Sequence, residues 1–214
     1  VFSVRDLLLN GGDRERLKGF LSGLLKEIST EGFLDIYLGF PDGTGVFGTG
    51  YIPESDYDVR ERPWYKLAME TGKLSFTEPY LDVDTGELVI SVVMPIYDQA
   101  KQPLAVLTGD IKMAAFTKIA ENMSVFGKGF GIILSPTGMI VVHPNKEVAL
   151  KENLTKTSNY VQPALAAIGE KILHGEAGFG DYQAGGEARR LYFSPTESGF
   201  FVGLVFPRAE ISKL

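Results

Sequence analysis

Cysteine is absent from the 214 residues, so neither a disulfide framework nor a thiolate metal site is available. Histidine is almost absent: His143 and His174 are the only two, far apart and without a companion ligand, and no metal or other cofactor is expected. Basic charge is in short supply as well. The 21 Lys and Arg are outnumbered by 27 Asp and Glu, for a net charge of −6, which excludes the positive footprint that nucleic acid or an anionic lipid surface requires. No run approaches the roughly 18 consecutive apolar residues of a membrane span, and the opening Val1-Phe-Ser-Val-Arg-Asp6 has none of the three regions of a signal peptide. A nucleophile elbow, a phosphate-binding loop, a GxGxxG fingerprint and an HExxH motif are all missing. Tryptophan occurs once, at Trp64.

What is present is a chain that is 44% hydrophobic, enough to bury a sizeable core as one large domain or two small ones. It starts within an apolar pattern at Val1-Phe2 and stops at Ile211-Ser-Lys-Leu214 where a helix could begin, so the expectation is of a piece cut from a longer protein. From Asp13 to Ile28, Leu17, Phe20, Leu21, Leu24, Leu25 and Ile28 recur at helical spacing, which predicts one amphipathic helix. After Gly32 the texture becomes short β-rich runs over Phe33 to Phe40, Gly45 to Tyr51, Glu87 to Pro95 and Leu104 to Ile111. Between them Pro63 to Glu70 reads as a short helix with proline at its start.

The second half repeats this design. Phe33 to Gly43 and Phe130 to Gly138 are each an apolar strand followed by Pro-x-Gly, and Ile90 to Pro95 followed by Leu104 to Leu107 has a counterpart in Arg190 to Pro195 followed by Phe201 to Val205. The offset is roughly 95 to 100 residues, the size of a small module and not of a solenoid repeat. The prediction is an α+β fold of two tandem modules, each an antiparallel sheet with flanking helices. A helical join is expected over Lys112 to Lys128. Residues 1–30 are then expected to hold the C-terminal part of a longer N-terminal helix, 31–118 the first module and 119–214 the second.

The densest chemistry is Tyr57-Asp-Val-Arg-Glu-Arg62-Pro-Trp64-Tyr65-Lys66. Arginine presents a planar fork of donors to a carboxylate, and Tyr and Trp offer hydrogen bonds together with π faces that attract an ammonium group. A pocket for a small zwitterion needs both signs of charge, because each desolvated ion is costly unless paired. Acceptors for an ammonium lie downstream at Tyr80, Asp82 and Asp110, the last interrupting the apolar strand Leu104-Ala-Val-Leu-Thr-Gly-Asp110. Each residue taken singly also has an ordinary structural explanation. Arg62 is equally placed for an ion pair with Glu61 or Asp58, Trp64 and Tyr57 for packing, Asp82 and Asp84 for a hairpin turn, and Asp110 for capping a helix near Met113.

Tyr57-x4-Arg62-x-Trp64-Tyr65, Glu78-Pro-Tyr80-x-Asp82 and the Gly109-Asp110 strand end together resemble the amino-acid-binding signature of double Cache sensor domains, the extracytoplasmic input modules of chemoreceptors, sensor histidine kinases and cyclases. The resemblance continues through Gly138, His143-Pro-Asn145 and the closing Gly199 to Pro207, covering nearly the whole chain. It implies two PAS-like modules, with a membrane-distal one in which Tyr57, Arg62 and Trp64 hold a ligand carboxylate while Tyr80, Asp82 and Asp110 meet its amino group; Tyr65 belongs to the same signature. The proximal module, with His143-Pro-Asn145 as turn residues, lacks the cluster. The resemblance further implies a non-enzymatic receptor domain outside the membrane, homodimeric in the full-length protein while the piece alone is free to be a monomer. The rival expectations are a sensor for a bare carboxylate or amine, and a small hydrolase using Asp82 and Asp110 as paired carboxylates.

Overall fold

A computed structural model of the chain describes residues 2–11, 13–123 and 127–211. Packing divides the chain into Val1–Ala115 and Phe116–Leu214. The division falls within helix α4 (Met113–Glu121), a few residues ahead of the expected boundary at 118/119. Part of the expected helical join, residues 124–126, lies outside the described residues. No helix among the described residues is long and apolar enough to cross a membrane.

The predicted helix over 13–28 is α2 (Arg14–Ile28), begun by Asp13, whose carboxylate accepts from the Arg16 N–H at 2.7 Å. A further helix, α1 (Phe2–Leu9), precedes it. The two are separated at Gly11, whose φ of 69° is left-handed, just after Asn10 donates its side-chain amide to the Asp6 carbonyl. The first sheet then follows: β1 (Phe33–Gly39), β2 (Gly45–Phe47), β3 (Ser75–Phe76), β4 (Tyr80–Leu81), β5 (Leu88–Tyr97) and β6 (Pro103–Lys112), with α3 (Pro63–Thr71) between β2 and β3. Its order is β2-β1-β6-β5-β3, with β4 also on β5, and every pairing is antiparallel.

Alternation along the strands sends side chains to two different cores. Ile36, Leu38, Ile96 and Ala105 pack with Leu17 and Leu21 of α2. Tyr37, Val93 and Val106 face the other way, toward Trp64, Tyr65 and Ala68 of α3. The second face carries the polar residues discussed below. β2 is shorter than the predicted Gly45–Tyr51 strand. Beyond Phe47 the chain is taken off the ladder by Asp35, whose carboxylate accepts from the Thr49 N–H at 3.0 Å and the Thr49 hydroxyl at 2.9 Å.

The second unit contains β7 (Phe130–Leu134), β8 (Ile140–Val142), α5 (Pro163–Leu173), β9 (Gly178–Ala184), β10 (Glu187–Pro195), β11 (Phe201–Pro207) and α6 (Arg208–Ile211). Its antiparallel order, β8-β7-β11-β10-β9, matches that of the first sheet, with β7 in the place of β1, β11 of β6 and β10 of β5. The shared Pro-x-Gly turns are bonded alike. Gly43 N–H donates to Phe40 O and Gly138 N–H to Ser135 O, with φ of 90° and 84° respectively, a backbone conformation that glycine adopts without strain.

Gly39 on β1 lies directly under Trp64: a Cβ there would stand 2.4 Å from the indole Cη2. Gly39→Ala should therefore destabilise the chain by about 1–3 kcal/mol through overpacking against a rigid ring. The check is a fall in the urea midpoint at unchanged slope.

Candidate functional site

The α3 face of the first sheet ends in a row of three polar residues on adjacent strands. Asp35 of β1 is in register with Asp110 of β6, which is in register with Ser91 of β5. All three are buried. The Asp110 carboxylate accepts from the Tyr37 hydroxyl at 3.1 Å and 3.2 Å, from the Tyr80 hydroxyl at 3.3 Å and from the Ser91 hydroxyl. Tyr80 and Ser91 are themselves 2.6 Å apart. The strand β6 runs past Asp110 to Lys112, so this carboxylate is a sheet residue held by hydroxyls and not the cap of α4.

Burial is the dominant force on these groups. It lifts the Asp110 carboxyl from the ordinary 3.8 to about 6, in spite of the hydrogen bonds from Ser91 and Tyr37 that favour the charged form. Burial and then the Asp110 charge push the Tyr37 and Tyr80 hydroxyls upward, and burial raises Asp35 despite its bonds to Thr49 and Ile36. The charges of Asp82 and Asp35 also raise Asp110. These carboxylates therefore sit in a field short of positive charge.

The cation comes from α3. Pro63 occupies the first turn of the helix and Arg62 precedes it in an extended conformation, φ −78° and ψ 143°, as a residue before proline prefers. That conformation turns the Arg62 side chain off the helix start, its guanidinium carbon 5.5 Å from the centroid of the Tyr57 ring. Both ion-pair partners that the sequence offered are otherwise engaged: Asp58 binds Arg60 at 2.6 Å and Glu61 binds Lys66 at 2.6 Å. The Arg62 Nε is buried and makes no hydrogen bond, an expensive state for a donor and one that awaits an acceptor.

Arg62, Tyr57, Trp64, Tyr80, Asp82 and Asp110 all line one cavity of about 40 Å³. Tyr65 does not line it. The Tyr65 ring packs edge-on against Trp64, centroids 5.7 Å apart, as part of the buried core. Asp82 has two roles, since its Oδ1 also accepts from the Thr85 N–H at 2.9 Å and the Thr85 hydroxyl at 2.7 Å, organising the turn between β4 and β5. The tip of that turn, Val83 to Thr85, is exposed and completes the lining. Sequence reasoning missed Asp35, Tyr37, Phe47, Thr49 and Tyr51, which line the cavity too, and Ser91 behind them. Their signal was local: Asp35 and Tyr37 share one face of a strand otherwise apolar, and Ser91 interrupts Ile90 and Val92. Tyr37, Phe47, Tyr51, Tyr57 and Trp64 form a continuous aromatic wall, with successive ring centroids 5.0–6.5 Å apart. The site thus offers an unpaired guanidinium donor, an aromatic wall and a cluster of carboxylates, a set that pairs both ends of a zwitterion.

The family description "Cache domain" (dCache_1) matches residues 4–214. Methyl-accepting chemotaxis protein PctB of Pseudomonas aeruginosa is 33% identical over 165 residues, 77% of this chain and 24% of PctB. Methyl-accepting chemotaxis protein McpG of Pseudomonas putida is 29% identical over 177 residues, 80% of this chain and 26% of McpG. The chain thus spans about a quarter of the length of these curated relatives. The solved ligand-binding domain of the amino acid chemoreceptor PctB of P. aeruginosa, in complex with L-Arg, superposes with a TM-score of 0.78 at 27% identity, covering 100% of this chain and 87% of that one.

The raised Asp110 pKa has a consequence for stability. Between about pH 4 and 6 the folded chain keeps a proton that the unfolded chain has released, so stability falls as pH rises through this window and the deficit persists above it. Asp110→Asn should remove the deficit. The variant is expected to gain up to roughly 2–3 kcal/mol over the parent at pH 7 and to lose that advantage below pH 4, as read by urea unfolding of both proteins across the range.

Proposed function

The chain belongs to the Cache domain family, and on that premise we propose that it is an extracytoplasmic sensor domain that binds a free α-amino acid in the cavity of its first unit. The observation that carries this reading is that one small cavity holds both the buried, unbonded Arg62 Nε and the buried Asp110 carboxylate, which accepts from the hydroxyls of Tyr37, Tyr80 and Ser91. Arg62, with Tyr57 and the Trp64 indole N–H, receives the α-carboxylate. Asp110, Asp82 and the hydroxyl of Tyr80 receive the ammonium group, with the aromatic wall beside it. Tyr65 supports this site by packing on Trp64. A bare carboxylate would leave the acids without a cation, and a simple amine would leave Arg62 without an anion. The PctB ligand-binding domain, solved with L-Arg, supports the ligand class.

The lining carries Asp35, Asp82, Asp84 and Asp110 against the cation Arg62, an excess of negative charge that disfavours acidic amino acids. At about 40 Å³ the cavity offers only a few water-sized spaces, so we assign the exposed Val83 to Thr85 turn the role of moving aside for the ligand side chain. Binding then favours one conformation of this unit over another, and only that difference in affinity can become a signal. We further propose that residues 31–118 are the membrane-distal module and 119–214 the proximal one, in a receptor that acts as a homodimer.

Thermal shift and calorimetry on the chain test this directly, with the common amino acids set beside simple carboxylates and amines. Saturation by an α-amino acid to about 100 times Kd should add roughly 2.7 kcal/mol of stability, and the ligand should be recovered unchanged. L-Asp and L-Glu should fail. Arg62→Ala and Asp110→Ala should each weaken binding by about 100-fold or more, whereas Glu61→Gln should have no effect because Glu61 is engaged with Lys66. Amino acid binding that survives Arg62→Ala would overturn the assignment.

A further inference from the structure

The second unit contains its own cavity, of about 220 Å³, over the strands that correspond to those beneath the first. The Pro-x-Gly turns at Pro41 and Pro136, and the strand-end prolines Pro95 and Pro195, align the two sheets. In that alignment the in-register row Asp35, Asp110 and Ser91 becomes Phe130, Val205 and Leu191, which are again in register across β7, β11 and β10. The polar floor of one module is an apolar floor in the other. Val205 and Leu191 line the second cavity together with Ile132, Leu154 and Leu165.

The rim has the opposite character. Arg189, His143, Asn145, Tyr160 and Tyr182 line the same cavity, and none of the described lining residues carries a carboxylate. Arg189 and His143 converge on Phe130: the guanidinium carbon is 5.9 Å and the imidazole centroid 5.1 Å from the ring centroid. The His143 Nδ1 accepts from the Asn145 N–H at 2.9 Å, which leaves Nε2 as the nitrogen that carries the proton of the neutral ring. Burial and the Arg189 charge both depress the imidazolium form. The Arg189 Nε is 2.9 Å from Glu187, whose side chain is 49% exposed, so that pair is largely screened by solvent. One cation, several neutral hydrogen-bonding groups and a closed apolar floor make an environment for an amphiphilic anion.

We propose that this cavity is a second ligand site, which takes a short aliphatic monocarboxylate of about four to seven carbons, its carboxylate at Arg189 and its tail over Val205 and Leu191. The size follows from volume, since an apolar cavity of about 150 Å³ already accommodates a benzene ring. The sign follows from the lining. An α-amino acid would place its ammonium among groups that offer no acid, and so would be excluded here for the same reason that it is favoured in the first unit.

The test is calorimetric titration of the chain with hexanoate and 3-methylbutanoate, each beside its primary amide and its primary amine. The carboxylates should bind, and the amides and amines should bind at least about tenfold more weakly. Arg189→Gln should abolish the preference for carboxylate over amide, and Arg189→Lys should restore part of it. Ala184→Leu, which fills the cavity without touching the charge, should block all of these ligands while leaving the thermal midpoint near that of the parent. Arg62→Ala should leave carboxylate binding unchanged. The proposal is overturned if no carboxylate binds, if the amides bind as tightly as the acids, or if Arg62→Ala abolishes the binding that Arg189→Gln leaves intact.

Discussion

A carboxylate buried near the end of a central strand must be satisfied from several sides, and the first unit is organised around doing this for Asp110. Its partners come from three different strands: Tyr37 on β1, Tyr80 on β4 and Ser91 on β5. A one-residue slip of any neighbouring strand would turn these hydroxyls to the opposite face and leave the charge alone in the core. Register, the burial of α3 and the shape of the cavity therefore hang on the same few bonds. Three hydroxyls are still too little. They are neutral donors, and burial outweighs them enough to hold the carboxyl near 6. In the function proposed above, the ligand ammonium is the positive charge that the protein itself does not provide at this spot.

Arg62 poses the complementary problem. Its neighbours in sequence, Asp58 and Glu61, are acids that would neutralise it, yet local geometry gives both to other cations. The 3₁₀ turn over Val59–Glu61 pairs Arg60 with Asp58, and the first turn of α3 brings Lys66 to Glu61. Proline at position 63 then holds Arg62 extended. A charged side chain left with a buried, unbonded Nε is a cost in stability, and a site that tolerates such a cost on both sides of one cavity is selective because removing either charge from the ligand restores it. In the proposed function, specificity for a zwitterion arises from two incomplete pairings held apart by an aromatic wall.

Much of this was legible in the sequence because it is written in local patterns. The period of Leu17, Leu21 and Leu24, the proline at 63 and the paired Pro-x-Gly turns are near-neighbour signals, and they position α2, α3 and the duplicated sheet. The cluster at Tyr57 to Tyr65 is likewise contiguous, and of its four signature residues the cavity gathers Tyr57, Arg62 and Trp64. What the sequence could not display was side-chain direction. Tyr65 sits beside Trp64 in the chain but 100° around the helix, which turns it into the core. Tyr37 and Asp35 meet Asp110 only because β1 and β6 pair, a contact between distant segments that no local window contains. The break between α1 and α2 comes where Gly11 turns left-handed, and the early end of β2 where Asp35 captures Thr49, a side chain competing with regular backbone structure.

Two sheets of the same order, fed by the same turns, differ most where they line a cavity. The three strands that present Asp, Asp and Ser in one unit present Phe, Val and Leu in the other, while Gly43 and Gly138 keep identical turns. Backbone hydrogen bonding is indifferent to that exchange, since each pair of residues stays in register. The chemistry is not. Acids on the floor require donors from neighbouring strands and a cation from outside. An apolar floor requires nothing but exclusion of water, and hands the choice of ligand to the rim. The scaffold is therefore set by turns and alternation, and in the two sites proposed above the sign of charge accepted is set by three in-register positions and one arginine, Arg62 in the first unit and Arg189 in the second.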